Sequence, residues 1–238
     1  MTKHLATATS ILILLVTNNL LAQENSPPSN KLFATLKFNK LLITQQSVKN
    51  RPWPKITVYS KLKATPQQAM AIFSAYDQQK LFVLDTIEST PIKELAPDHV
   101  IVRYKSKMPW PLKDVAYTNG HILTQKSSGY QLTWYQVESE STKHLAGSMQ
   151  LFSWQQETIM VYQNLAHPDS LFAKLLKPVM VNKVEKSIRA IIKYIEEKSL
   201  KDPIYVQQLV NKMEQILSGK SVYFKNKKMV RPKKTIGP

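Results

Sequence analysis

The sequence predicts an α+β fold in which an antiparallel sheet wraps around a long C-terminal helix. Three observations predict it. Alternating apolar and polar residues recur between positions 54 and 166, the turns between these segments are short and polar, and a long amphipathic segment follows. An antiparallel sheet needs a cover on one face. The long helix is the only predicted element large enough to provide it.

The first predicted strand contains Ile56, Val58 and Leu62, which alternate with polar residues as in a strand with one face in water. Thr65 and Pro66 then predict the start of a helix. Threonine caps free N–H groups there, and proline needs no N–H at the first helical position. The apolar stripe of this helix consists of Ala69, Ile72, Phe73 and Tyr76.

Six further strands are predicted, joined by short polar turns as in an antiparallel meander. The first of them contains Pro91, which favours an edge strand or a bulge because proline donates no N–H to a ladder. In the second, Val102 and Tyr104 share one face, and Arg103 is expected outside. The predicted ranges are 86–95, 99–107, 115–125, 130–139, 144–154 and 158–166.

A long helix is predicted after the cap sequence His167-Pro168-Asp169-Ser170. Pro178 is expected to kink or divide this helix near Leu176, because it removes one backbone hydrogen bond. A helix lying across a curved sheet, with room between them, is a helix-grip arrangement. The apolar stripe that would face the sheet consists of Val181, Val184, Ile188, Ile191 and Ile195.

Residues 1–22 have the pattern of a secretory signal peptide: Lys3 and His4, an apolar run over residues 11–16, and Ala22 as a small residue at the expected cleavage site. An uncleaved N-terminal anchor is the alternative. The apolar run is shorter than the roughly 20 residues that cross a bilayer. We therefore expect an exported protein, periplasmic or secreted. Residues 23–52 are interpreted as a leader and an edge segment.

Residues 198–238 are predicted to form an amphipathic helix, ended by Gly219, and a basic tail without acidic residues. Lys and Arg number 33 against 16 Asp and Glu, which gives a formal net charge of +17. Such a charge favours binding to anionic surfaces. Since export separates the protein from DNA and RNA, we expect an anionic membrane surface as a partner and no nucleic acid.

The segment around Trp110 is the most specific local pattern. Pro109 and Pro111 bracket the tryptophan, and two prolines this close exclude a strand, so a rigid apolar turn between two strands is predicted. With its flanks this segment reads SKMPWPLKDVAYT. Together with PWPKITVYSKLKATPQQAMAIFSAYD and NLAHPDSLFAKLLKP, in that spacing, it resembles the START-domain or SRPBCC (Bet v 1-like) family, in its secreted bacterial branch.

The resemblance covers residues 53–197, the START-like domain. It implies a helix-grip fold around an internal apolar tunnel that binds or carries lipids, sterols or other hydrophobic molecules. Some relatives cyclise polyketides. Lipid-transfer members often place Arg-Asp after the turn, whereas this chain has Asp114 after Lys113 and no arginine. A role that depends on that arginine does not transfer.

Ligand contact is predicted for side chains on the strands and the long helix, because tyrosine and tryptophan offer an apolar body with one polar tip. Core packing is the alternative for each of them. Trp110 is predicted at the mouth, in contact with a membrane. The predicted pocket residues are Val102, Tyr104, Tyr117, His121, Trp134, Met149, Val161, Val184 and Ile188.

No catalytic, cofactor or metal site is predicted. The chain has no cysteine, and its five histidines are scattered singly, although strand pairing could bring His121 near His144. Three functions stay open. They are an exported monomeric carrier of a lipid or another hydrophobic small molecule, a cyclase or hydrolase using His121 and Tyr117 in the same cavity, and an envelope protein that binds polyanions or membranes through the basic tail.

Overall fold

The computed structural model describes residues 30–108, 110, 113–168 and 170–224, with residues 170–179 described by their backbone alone. The predicted signal peptide, Pro109 and Pro111 of the turn, and most of the basic tail lie outside this part. The chain divides into two compact units, Met1–Thr35 and Leu36–Pro238. In the first, the described element is helix α1 (Asn30–Thr35). The second contains the remaining elements.

The second unit begins with the strands β1 (Leu42–Gln46) and β2 (Lys55–Leu62). Helix α2 and a 3₁₀ helix follow, then six strands and two long helices. The bounds are α2 Pro66–Phe73, 3₁₀ Tyr76–Leu81, β3 Thr86–Ala96, β4 His99–Ser106, β5 Val115–Lys126, β6 Gly129–Ser139, β7 Thr142–Trp154, β8 Glu157–Pro168, α3 Ser170–Lys201 and α4 Pro203–Leu217. All seven predicted strands are present, and the edge segment contributes β1.

The strands form one antiparallel sheet in the order β1-β2-β8-β7-β6-β5-β4-β3. Strands β3 to β8 are a meander, and β8 returns to pair with β2. The edge strand β3 carries a register shift between Pro91 and Lys93. The expectation of an edge strand or bulge at Pro91 is therefore confirmed, and the missing N–H leaves no gap inside the sheet.

One face of the sheet is covered by helices. Ile188, Ile191 and Ile195 of α3 are buried in the same core cluster as Val58 and Leu132 of the sheet, which confirms the predicted docking. Helices α2 and α4 join the same cluster. Their buried members include Met70, Ile72, Val206, Val210 and Met213. The cover is thus shared among three helices.

Local signals at the helix ends behave as the sequence predicts. The Thr65 hydroxyl accepts from the N–H of Gln68 at 3.2 Å, and the Gln68 side chain accepts from the N–H of Thr65 at 3.1 Å, a reciprocal cap of α2. Gly219, after α4, has φ +82°. Pro178 does not divide α3, which is one unbroken helix, and the kink that the sequence offers as the alternative stays a prediction. One missing hydrogen bond does not end a helix whose later turns are anchored in the core.

Candidate functional site

A half-open cavity of about 170 Å³ lies at one end of the sheet. Five chain segments meet there: Met108 follows β4, Val115 begins β5, Ser139 ends β6, Thr142 begins β7 and Pro168 ends β8. Antiparallel pairing brings these ends together, because each strand starts beside the end of the one before it. The connection that carries Trp110 joins β4 to β5 at this same end.

Most of the cavity wall is apolar. Trp53, Met108, Tyr117, Leu145 and Ala166 contribute to it. The polar lining consists of neutral groups, among them Asn119, Gln136, Ser139, Ser141 and Thr142. Among the described lining residues none carries a charge. The cavity therefore suits a molecule without charge at the end that it encloses.

Asn119 and Gln136 lie directly opposite each other on β5 and β6. The register shifts immediately beyond them, because Val137 is an additional residue between Gln136 and Glu138. The side-chain nitrogen of Gln136 donates to the carbonyl of Thr142 at 2.7 Å. The side-chain oxygens of Asn119 and Gln136 are both buried without a hydrogen-bond partner.

A hydrogen-bonded chain lies on the same sheet face. The Tyr104 hydroxyl donates to Oε1 of Gln79 at 2.6 Å, and Nε2 of Gln79 donates to the Phe73 carbonyl at 2.8 Å. With its single hydrogen so placed, the hydroxyl accepts from Nε2 of His121 at 2.9 Å. Nδ1 of His121 is then an acceptor, and it has no partner.

Burial keeps this chain uncharged. It lowers the pKa of His121 to about 3, with a smaller contribution from His99. Burial also raises the pKa of Tyr104 well above its ordinary value, and that of Tyr117 in the same direction. The rings of these two tyrosines are stacked with centroids 5.1 Å apart. At neutral pH the inner wall is therefore aromatic and neutral.

The predicted pocket residues take four positions. Tyr117 lines the cavity, and Val184 packs half-buried against the core. Val161 pairs with Tyr59 and lies on the sheet face opposite to its neighbours Met160 and Tyr162, so the structure does not bring it to the others. The residues buried in the interior are Val102, Tyr104, His121, Trp134, Met149 and Ile188. Ligand contact by any of the nine stays a prediction.

Several lining residues were not singled out from the sequence, above all Gln136, Leu145 and Ala166. Gln136 follows Trp134 by two positions, so strand alternation places it on the same face. This alternation could have predicted the position of Gln136, but a polar side chain is not expected on the face that packs inward.

Other residues to which the sequence analysis gave a role lie outside the cavity. Trp110 is 93% exposed, close in sequence to the lining residue Met108, and Arg103 is exposed as expected. His121 and His144 are not neighbours, because β6 separates their strands. Within the described ranges no group of three or more His, Asp or Glu side chains is placed to hold a metal ion, and no helix there is long and apolar enough to cross a membrane.

No protein-family model matches this sequence, and no curated protein sequence matches it. Solved structures do match its fold. A STAR-related lipid transfer protein from Xanthomonas axonopodis has a TM-score of 0.60 at 13% identity, over 67% of this chain and 95% of that one. Human STARD10 has a TM-score of 0.55 at 14% identity, over 83% of this chain and 92% of that one.

The Zhui aromatase/cyclase from Streptomyces sp. R1128 also matches, with a TM-score of 0.51 at 10% identity, over 62% of this chain and 96% of that one. The chain therefore has the START-type helix-grip fold, as the resemblance predicted. Proteins of this fold include lipid-transfer proteins and a cyclase. Because one fold serves both activities, only the residues of the site can distinguish a carrier from an enzyme.

Proposed function

We propose that this protein is an exported, non-enzymatic carrier that binds a lipid or another hydrophobic small molecule in its half-open cavity. The observation that carries the proposal is the cavity at the end of the sheet, with an apolar wall and neutral polar groups. The START-type fold supports it. Export, action as a monomer and descent from a secreted bacterial branch are parts of the same proposal, and the signal-like residues 1–22 support export.

The size of the cavity limits what it encloses. Pockets for whole drug-sized ligands have about 300–1,000 Å³, and this cavity has about 170 Å³. An engineered cavity of about 150 Å³ holds one benzene molecule. We infer that the cavity takes one end of the ligand, about the size of a single ring. The rest of the ligand would extend out of the cavity beside Met108 and Trp110.

The interior is narrower than the predicted tunnel because large side chains fill it. Trp134, Met149 and Ile188 are at most 8% exposed. The indole of Trp134 lies 5.4 Å from the ring of Tyr162, centroid to centroid, and its N–H donates to the side-chain oxygen of Asn164 on β8 at 3.3 Å. Tight packing of this kind leaves little free volume around these side chains.

The site favours a carrier over a cyclase or hydrolase. A general base that works at neutral pH needs a pKa near 7, and burial lowers the pKa of His121 to about 3. Its Nε2 is engaged by Tyr104, and His121 is not among the described residues that line the cavity. The best candidate base from the sequence is thus weak and set back from the space that a substrate would occupy.

Contact with an anionic membrane is a second part of the proposal. Leu81, Leu84 and Ile87 are exposed, and they border a groove with Lys80 and Lys107. Exposed apolar groups beside cations suit the interface of an anionic bilayer. The net charge of +17 acts in the same direction. If the tail alone bound polyanions, removal of residues 220–238 would abolish binding while leaving this groove intact.

The test is retention of a native ligand. We expect wild-type protein, purified gently from its own host, to carry an apolar molecule that native mass spectrometry detects. Ala166→Phe, which fills the cavity, should lose it. Ser153→Phe is the matched control, because Ser153 is exposed at the far end of β7. A wild type that never retains an apolar molecule, or an Ala166→Phe protein that retains it fully, contradicts the proposal.

A further inference from the structure

Two side-chain oxygens of residues that line the cavity accept no hydrogen bond. The orientation of the Gln136 amide is fixed, because only its nitrogen can donate to the Thr142 carbonyl, at 2.7 Å. Its oxygen is therefore a true acceptor, and it is buried without a partner. Such a group is unfavourable in a folded protein unless something completes its hydrogen bond.

Asn119, on the neighbouring strand, also has a buried side-chain oxygen that accepts no hydrogen bond. Its side chain is 5% exposed, and it lines the same cavity. Because Asn119 and Gln136 are direct partners across β5 and β6, their side chains leave the sheet next to each other on one face. Two neighbouring acceptors thus belong to one small cavity.

The residues that line the cavity indicate which charge a ligand group can carry there. No described lining residue is acidic, so a cationic donor such as an ammonium would be buried without a counter-charge. No described lining residue is basic, so an anionic carboxylate or phosphate would also be buried without a counter-charge. A neutral hydroxyl group avoids both penalties, since it donates a hydrogen bond at small desolvation cost.

We propose that the enclosed end of the ligand is a ring-sized neutral group bearing a hydroxyl, which donates to the side-chain oxygen of Gln136 or Asn119. This inference rests on the proposed carrier function and specifies its ligand class. The volume of about 170 Å³ fits a single ring. Trp53 and Tyr117 supply aromatic wall, and the two amides supply the polar end.

The test compares two probes of nearly the same shape, 4-butylphenol and butylbenzene, by calorimetric titration of the delipidated full chain. We expect the wild type to bind the phenol about three- to tenfold more tightly, the range for one neutral hydrogen bond. At least one of the variants Gln136→Met and Asn119→Leu should reduce this ratio, and both should retain binding of butylbenzene. Gln131→Met is the matched control, on the opposite face of β6, and should keep the ratio.

The outcomes separate the two proposals. If neither probe binds the wild type, the carrier function itself is contradicted. If both bind equally well, the cavity accepts apolar molecules, but its amide oxygens are satisfied by water and the hydroxyl inference is overturned. The same holds if the preference for the phenol survives in both variants. The wild-type comparison decides the matter even if a variant does not fold.

Discussion

Tyr104 on β4 and His121 on β5 are joined by a hydrogen bond of 2.9 Å inside the core. The hydroxyl of Tyr104 gives its own hydrogen to Gln79, so His121 is the donor of the pair. A sheet strand, its neighbour and the 3₁₀ helix are thereby connected through side chains. The connection is neutral throughout, which distinguishes it from the charged pairs on the surface of the protein.

Removal of the Tyr104 hydroxyl should destabilise the protein. Tyr104→Phe leaves the Nε2 hydrogen of His121 and the oxygen of Gln79 buried without partners, and we expect a loss of about 1–3 kcal/mol. The measurement is urea unfolding at pH 7. Tyr135→Phe is the control, because Tyr135 is 37% exposed and its hydroxyl bonds His99 at 2.8 Å in a position that water can reach. Equal losses in the two variants would contradict a special role for the buried chain.

Stability should depend on pH through His121. Its folded pKa of about 3 lies below the ordinary value of 6.5, so between these values the unfolded chain binds a proton that the folded chain does not. The free energy of unfolding is therefore expected to fall as the pH falls from about 6.5, by about 1.4 kcal/mol per pH unit from this group. Urea titrations at pH 7, 6 and 5 measure it.

Other groups titrate in the same range, so the readout is the difference between variants. His121→Gln should lose this part of the slope, whereas His99→Gln, at a half-exposed position, should keep it. If wild type and His121→Gln have the same slope between pH 5 and pH 7, then His121 does not resist protonation as inferred.

Trp110 should contribute to membrane association. With 93% of its surface exposed, it gains apolar burial if it enters a bilayer interface. We expect Trp110→Ala to weaken binding to vesicles of anionic phospholipid by about tenfold, measured by co-sedimentation. Val137→Ala, which removes an exposed apolar side chain from β6, is the control and should have no effect. Unchanged binding of the Trp110→Ala protein would exclude the contact.

The strands and the capped helix were predictable because each depends on residues close in sequence. The period of two in β4 and the Thr65-Pro66 cap are local signals, and both elements occur as predicted. The face of Val161 was not predictable in this way. Ile159, Met160, Val161 and Tyr162 are all apolar, so alternation cannot tell which pair points inward.

The site was less predictable than the fold because it depends on contacts between distant segments. The pairing of Gln136 with Asn119 depends on the register between β6 and β5, which no pattern within β6 predicts. Gly147 is similar: an added Cβ there would overlap the indole of Trp134, so glycine is needed for a neighbour thirteen positions away. The docking of α4 on the core was also not predictable, since an amphipathic stripe does not indicate which surface it packs against.

The pairing of β8 with β2 determines when the fold can be completed. These strands are about a hundred residues apart, so most of the chain must be available before they meet, and bringing such distant segments together slows folding. A nascent chain that ends after β7 would present β2 with one side unpaired, an open template for aggregation. Synthesis of the last strand is therefore the step that protects the polypeptide from self-association.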